Sequence, residues 1–177
     1  MTDKKRIATI WLDGCSGCHM SFLDMDERIL DIAERATIVY SPLVDAKEFP
    51  SGVDVTLVEG SVATDEDEAK IRKVRARSRV LVSLGDCAVT GNVSAMRNPF
   101  SVRSVFERAY VENADSTSIP SDRLPVLRDV VVPVHHIVEV DLTLPGCPPS
   151  ADVIHWALCE LLEGRTPDVG SRTRFGA

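Results

Sequence analysis

The chain has 177 residues, 44% hydrophobic and 27% charged, with a mean hydropathy of +0.01. That describes one ordinary globular domain, long enough to bury roughly 70% of its unfolded surface without needing disulfides or metals merely to fold. Lys and Arg number 20 against 27 Asp and Glu, for a net charge of −7, which argues against nonspecific nucleic-acid binding. No apolar run reaches the roughly 18 residues that a membrane-spanning helix needs.

The N-terminus, MTDKKRIATIWL, passes from charged residues straight into a strand-like run. It shows neither a secretory apolar core nor a twin-arginine pair, so a cytoplasmic setting is expected. Arg6–Leu12 predicts the first strand. Met20–Glu34 predicts an amphipathic helix, with Phe22, Leu23, Ile29, Leu30 and Ala33 as its apolar stripe. Ala36–Tyr40 and Val53–Val58 predict two more strands, the second ending at Glu59-Gly60. Thr64 is placed to cap the next helix, with Asp65, Glu66, Asp67 and Glu68 in its first turn and Arg72, Lys73, Arg75 and Arg77 in its last. Acid at the start and base at the end complement the helix dipole, so this basic run reads as a solvated helix end.

Arg79–Leu84 predicts a fourth strand, ending at Gly85-Asp86-Cys87. A short helix is expected over Val102–Tyr110, then an irregular insertion over about residues 111–134. His136–Val140 predicts a fifth strand leading through Asp141 to Leu144 and Pro145-Gly146-Cys147-Pro148-Pro149. Ser150 caps a final helix with Val153, Ile154, Ala157, Leu158, Leu161 and Leu162 as its stripe, closed by Gly164. Residues 165–177 read as a weakly anchored tail. The alternation of β-branched runs and helices specifies a single α/β domain over 1–177 with an open, mostly parallel sheet.

Five cysteines, at 15, 18, 87, 147 and 159, are an odd number for a disulfide framework, and metal binding or catalysis suits a reducing setting better. Cys15 and Cys18 follow strand one, Cys87 follows strand four, and Cys147 follows the run taken as strand five. All four therefore fall in loops at the carboxyl edge of the sheet, where such folds bind ligands. Cys159 lies beside the apolar stripe of the last helix and reads as a packing residue. Four thiolates hold either zinc or an iron–sulfur cluster. Structural zinc usually takes two closely spaced pairs, whereas here one pair joins two isolated cysteines, which suits a cluster better. A thioredoxin-like reading of Cys15 and Cys18 leaves Cys87 and Cys147 without a role.

Cys15-Ser16-Gly17-Cys18, Val58-Glu59-Gly60-Ser61-Val62, Gly85-Asp86-Cys87-Ala88 and Leu144-Pro145-Gly146-Cys147-Pro148-Pro149 together resemble the small subunits of nickel–iron hydrogenases. Those subunits are similar to an electron-carrying subunit of respiratory complex I. The resemblance implies a flavodoxin-like domain, with helices on both faces of the sheet. It also implies a proximal four-iron–four-sulfur (4Fe-4S) cluster held by Cys15, Cys18, Cys87 and Cys147. A separate large subunit would carry the Ni-Fe centre. The further cysteines of respiratory small subunits and the cysteine-dense tail of F420-reducing gamma subunits are not present. The complex I homologue has adjacent cysteines where this chain has Cys15-x-x-Cys18. With Cys18-His19-Met20-Ser21-Phe22-Leu23-Asp24, the pattern looks like the small subunit of the soluble NAD-reducing type. That implies iron–sulfur and flavin diaphorase subunits as further partners, and no catalytic residue for hydrogen cleavage in this chain. The alternatives are a complex I-like redox subunit and a structural zinc module.

Glu59 and His19 are expected beside the cluster, against the plainer readings of an exposed loop carboxylate and a surface histidine. His135-His136 lacks a third metal ligand nearby in sequence, and His155 reads as an ordinary helix histidine. Trp11 and Trp156 read as core. The Asp13–His19 loop occupies the place where flavodoxins cradle FMN, but it is committed to two thiols and lacks the Ser/Thr-rich phosphate pattern, which disfavours a flavin here.

Overall fold

A computed structural model describes residues 4–112 and 118–175. Its main sheet comprises β1 (Lys5–Trp11), β2 (Ala36–Tyr40), β3 (Val53–Glu59), β5 (Ser78–Leu84) and β7 (Leu142–Leu144). The spatial order is β2-β1-β3-β5-β7 and each pairing is parallel. Counted within the sheet this is the order 2-1-3-4-5 of flavodoxin-like folds, whose ligands sit beyond the carboxyl ends of the strands.

The period-two alternation of β1, β3 and β5 sends side chains to both faces, and helices bury both. On one face Ile7, Val55, Leu57, Val82 and Leu84 pack against Phe22 of α1 (Gly17–Leu23), Ile32 of α2 (Ile29–Arg35) and Ile154, Ala157 and Leu158 of α6 (Ala151–Leu162). On the other, Ala8, Ile10, Val58 and Leu81 meet Ile71 and Val74 of α3 (Asp65–Arg77) and Ala88 of α4 (Asp86–Thr90). The short helix expected from Val102 is α5 (Val102–Glu107), continued by a turn of wider helix over Arg108–Glu112. Among the described residues no helix is long and apolar enough to cross a membrane.

The start of α3 is closed by a reciprocal pair. Thr64 Oγ1 accepts from the Asp67 N–H at 3.0 Å, and Asp67 Oδ2 accepts from the Thr64 N–H at 3.0 Å. Removing that acceptor orphans a helix-terminal donor. Thr64→Ala is therefore expected to cost about 1 kcal/mol and Thr64→Ser much less, as read from urea denaturation midpoints. The basic end of the same helix is solvated as expected, and the structure pairs Arg72 with Glu68 and Lys73 with Glu48, each at 2.7 Å.

Four expectations need correction. The helix expected over Met20–Glu34 is two helices separated by a 3-10 turn at Asp26–Arg28, where Asp26 takes a φ of +51°. That break rotates the buried stripe: Met25 and Ile32 turn inward, while Leu23 and Leu30 face solvent. His136–Val140 is not a strand. A 3-10 turn at Val134–His136 comes first, and pairing with β5 begins only where Asp141 exchanges hydrogen bonds with Leu81, its carboxylate held by Arg75 at 2.5 Å. The insertion is not wholly irregular either, for β6 (Leu127–Val132) pairs antiparallel with β4 (Val62–Thr64). Residues 113–117 of that insertion and 176–177 of the tail lie outside the described residues. Finally, Trp11 is 45% exposed rather than core, its indole N–H donating to the Gly14 carbonyl. Trp156, on α6, packs half-buried against the core and carries the Arg172 guanidinium of the tail over its ring at 4.4 Å.

Candidate metal centre

The four loop cysteines meet at the carboxyl edge of the sheet, and two pieces of backbone bring them there. After β1 the chain bends over Gly60, exchanging hydrogen bonds between Asp13 and Ser61. A Cβ on Gly60 would lie 2.8–2.9 Å from the backbone of Leu12 and Asp13, so the crossing closes only with glycine at its φ of +93°. The chain then passes Cys15, turns through Ser16 at φ +66°, and enters α1 with Cys18 in its first turn. On the far side, Gly85 donates its N–H to the Leu144 carbonyl at 2.8 Å, which docks the Cys87 loop beside the Cys147 loop. The two sides touch where Cys18 crosses Gly85: a Cβ placed on Gly85 would stand 2.2 Å from Cys18 Sγ.

Burial of the thiols is graded. Cys18 is buried, Cys87 intermediate, and Cys15 and Cys147 exposed. Burial pushes the Cys18 thiol well above its ordinary range, and the charges of Glu59, Cys87, Cys15 and Cys147 push it further in that order. Burial likewise raises Cys87, followed by Cys147, Cys15 and Glu59, partly offset by the Val93 N–H that bonds its sulfur. All four sulfurs thus share one electrostatic field. Thiolates so close repel one another unless a cationic centre lies among them, and a 4Fe-4S cluster, which takes four cysteine thiolates, suits this donor set. Among the described residues no three His, Cys, Asp or Glu side chains gather at single-ion spacing.

The residues around the thiols are more buried than the sequence suggested. Glu59, at the end of β3, is 2% exposed, and His19 is 6% exposed; the alternatives of a loop carboxylate and a surface histidine are both overturned. Glu59 sits under the first turn of α1. Its Oε1 accepts from the Cys18 N–H at 3.3 Å, its Oε2 accepts from the His19 N–H at 3.0 Å, and Oε2 also contacts His19 Nδ1. The other ring nitrogen, Nε2, bonds Thr9 Oγ1 at 3.0 Å, and Thr9 donates on to Ser41 Oγ at 2.9 Å. One carboxylate therefore ties the turn that carries Cys18 to the central strand.

Four contributors escaped the sequence reading. Thr9 carries His19. Ser21 Oγ donates to the Pro149 carbonyl at 2.5 Å, tying α1 to the loop after Cys147. Asn92 Nδ2 lies 3.5 Å from Cys147 Sγ, a donor aimed at sulfur. Asp86, 6% exposed, joins the last two loops. Cys159 stands apart in α6, partly buried, with His155 Nε2 at 3.7 Å from its sulfur. His135 and His136 stack edge to face with each other at 4.6 Å.

The family model described as "NADH ubiquinone oxidoreductase, 20 Kd subunit" matches residues 15–161, a span that holds all four loop cysteines. The chain is 39% identical over 176 residues to the delta subunit of the NAD-reducing hydrogenase HoxS of Cupriavidus necator, covering 95% of this chain and 83% of that one. It is 40% identical over 173 residues to a vhu subunit of the F420-non-reducing hydrogenase of Methanococcus voltae, covering 96% of this chain and 60% of that one. The chain thus spans about 60% of the length of its methanogen relatives. A crystal structure of an NAD+-reducing [NiFe]-hydrogenase in the H2-reduced state contains a chain that superposes with a TM-score of 0.92 at 42% identity, covering 98% of this chain and 99% of that one.

Proposed function

Because the chain belongs to the NADH ubiquinone oxidoreductase 20 Kd subunit family, we propose that it is the small, electron-carrying subunit of a cytoplasmic NAD-reducing nickel–iron hydrogenase. Cys15, Cys18, Cys87 and Cys147 would hold one proximal 4Fe-4S cluster. The observation that carries the reading is the convergence of these four thiols at one sheet edge, in a chain that resembles hydrogenase subunits over nearly its whole length.

Bound there, the cluster supplies one-electron transfer between the large subunit's Ni-Fe centre and the flavin and iron–sulfur subunits that reduce NAD. The chain's own residues do the rest. Gly85 leaves room for the Cys18 sulfur, Glu59 fixes the turn that presents it, and Asn92 donates toward Cys147. Trp11 at the end of β1, Met20 in α1, and Val93 and Met96 after α4 are large, apolar and exposed, which suits coverage by the large subunit.

Anaerobic purification with associated subunits tests this. The expected preparation is brown, with about four iron and four sulfide per chain and nickel in a co-purifying subunit. A coloured, iron-containing preparation without nickel would point to a complex I-like redox complex. A colourless one containing zinc would overturn the cluster reading.

Glu59 supplies a finer prediction. Negative charge near a cluster disfavours adding an electron and so lowers its potential, and Glu59 is the strongest charged neighbour of the Cys18 thiol. Glu59→Gln, close in shape, is expected to keep the cluster but raise its midpoint potential in an EPR-monitored titration. An unchanged potential would remove Glu59 from this role.

A further inference from the structure

The loops that carry Cys87 and Cys147 are far apart in the chain, yet the residues just before the two cysteines are bonded to each other twice. The Asp86 N–H donates to the Gly146 carbonyl at 2.9 Å, and the Gly146 N–H donates to Asp86 Oδ1 at 2.7 Å. Sixty positions separate the partners. The first bond is available to any residue at 86. The second requires a side-chain acceptor of one particular length, and it is buried.

Gly146 adds a reason for such precision. It holds a φ of +141°, and a Cβ there would stand 2.7 Å from Pro149, so the loop before Cys147 has no slack on its other side. Pro149 is in turn held by the Ser21 hydroxyl. Cys147 is itself exposed, so packing of its own side chain does little to fix it. Its position is inherited from Gly146. With Gly85 bonded to Leu144, the whole Cys87 loop and the whole Cys147 loop form one unit.

The geometry points to Asp86 as the positioning residue that sets the spacing between the Cys87 and Cys147 sulfurs for their shared cluster. The inference rests on the reading of these cysteines as ligands. Asp86 acts here through hydrogen-bond geometry, whereas the strongest electrostatic neighbours of the buried thiols are Glu59 and the other cysteines. Positioning and electrostatic roles therefore separate by experiment.

The test compares wild type, Asp86→Ala and Asp86→Asn in the full chain purified anaerobically with its associated subunits. Three quantities are read: iron retained against a chelator, the reduced-state EPR spectrum, and amide exchange at Gly146. Loss of an outer partner of a metal site commonly weakens retention about 10- to 100-fold. Asp86→Ala is expected to fall in that range and to expose the Gly146 amide to fast exchange. Asp86→Asn, which keeps an acceptor oxygen, is expected to retain iron with the wild-type EPR spectrum and midpoint potential. Full iron retention in Asp86→Ala, or equal loss in both variants, would overturn the assignment. If Asp86→Ala does not accumulate as folded protein, Asp86→Asn decides alone: a cluster with the wild-type spectrum supports the clasp, and an empty protein overturns it. Wild-type protein without iron removes the ligand reading and this inference together, whereas iron-loaded wild type beside an unaffected Asp86→Ala removes this inference only.

Discussion

Cys18→Ala is expected to abolish the cluster, with iron per chain falling to background and the reduced-state EPR signal lost. Cys18 is the buried member of the four, and it is anchored from both sides. Its N–H is held by Glu59, and its sulfur lies against Gly85. No other side chain can shift into that place without moving α1. Burial and the negative charges around it disfavour the Cys18 thiolate, so a role as ligand calls for a cationic centre nearby. The raised value also fixes a sign: at neutral pH the metal-free protein holds Cys18 protonated, and cluster insertion releases that proton. Cys159→Ala is the control. It removes a partly buried sulfur from the edge of α6, expected to cost about 1 kcal/mol of stability and no iron. Full iron content in Cys18→Ala, or loss of iron in Cys159→Ala, would overturn the ligand assignment.

Gly85→Ala should be nearly as damaging, although it removes nothing. Two independent effects act on the same atom. With φ +83° and ψ 161°, Gly85 occupies a region essentially restricted to glycine, where a side chain costs about 1–3 kcal/mol, and the added methyl would stand 2.2 Å from Cys18 Sγ. A contact that short has to be relieved by moving the sulfur or the β5–α4 turn. The turn is held by the Gly85–Leu144 bond, so the sulfur has to turn away from its place beside Gly85. The expected result is a loss of about 3 kcal/mol or more in the metal-free chain and failure to retain iron. Gly164→Ala is the comparison at a positive φ without a contact. Its φ of +78° is similar, yet nothing stands within 4 Å of its missing Cβ. That variant is expected to lose only the backbone contribution, about 1 kcal/mol, and to keep the cluster. Equal stability losses in the two variants, read from denaturant midpoints, would show that the contact with Cys18 carries no weight.

The placement of the cysteines was legible because strands β1, β3 and β5 announce themselves by alternating β-branched residues that stop at glycine. Once those strands are parallel, everything that follows them lies at one edge. β7 was harder to read. Three residues carry no periodicity, and the alternation of Ile137, Val138 and Val140 drew the expectation upstream of the true pairing, which starts where Asp141 finds Leu81. Glu59 could be nominated from the Val58-Glu59-Gly60 motif, but not its burial. A carboxylate at a strand end defaults to solvent, and what buries this one is a set of N–H groups from α1, some 40 positions away. Asp86 is the extreme case. It stands inside a motif whose evident feature is its cysteine, and its partner is a backbone amide after the neighbouring strand, sixty positions on, which leaves no local signal.

The shortness of β7 has a consequence for how the protein fails. With β7 at one rim of the sheet, the boundary of the domain there is a strand of three residues. So short a rim contributes little cohesion by itself, and a metal centre joining positions 15 and 147 would act as a rivet from β1 to β7, across four of the sheet's five strands. Iron loss would then begin as local fraying of β7 well before the core opens, uncovering β5, whose interior residues Leu81, Val82 and Leu84 are almost wholly buried. An uncovered apolar strand of that kind is a template for aggregation. On this view the metal-depleted chain is lost to the cell chiefly by clumping at one edge, and only secondarily because it no longer carries electrons.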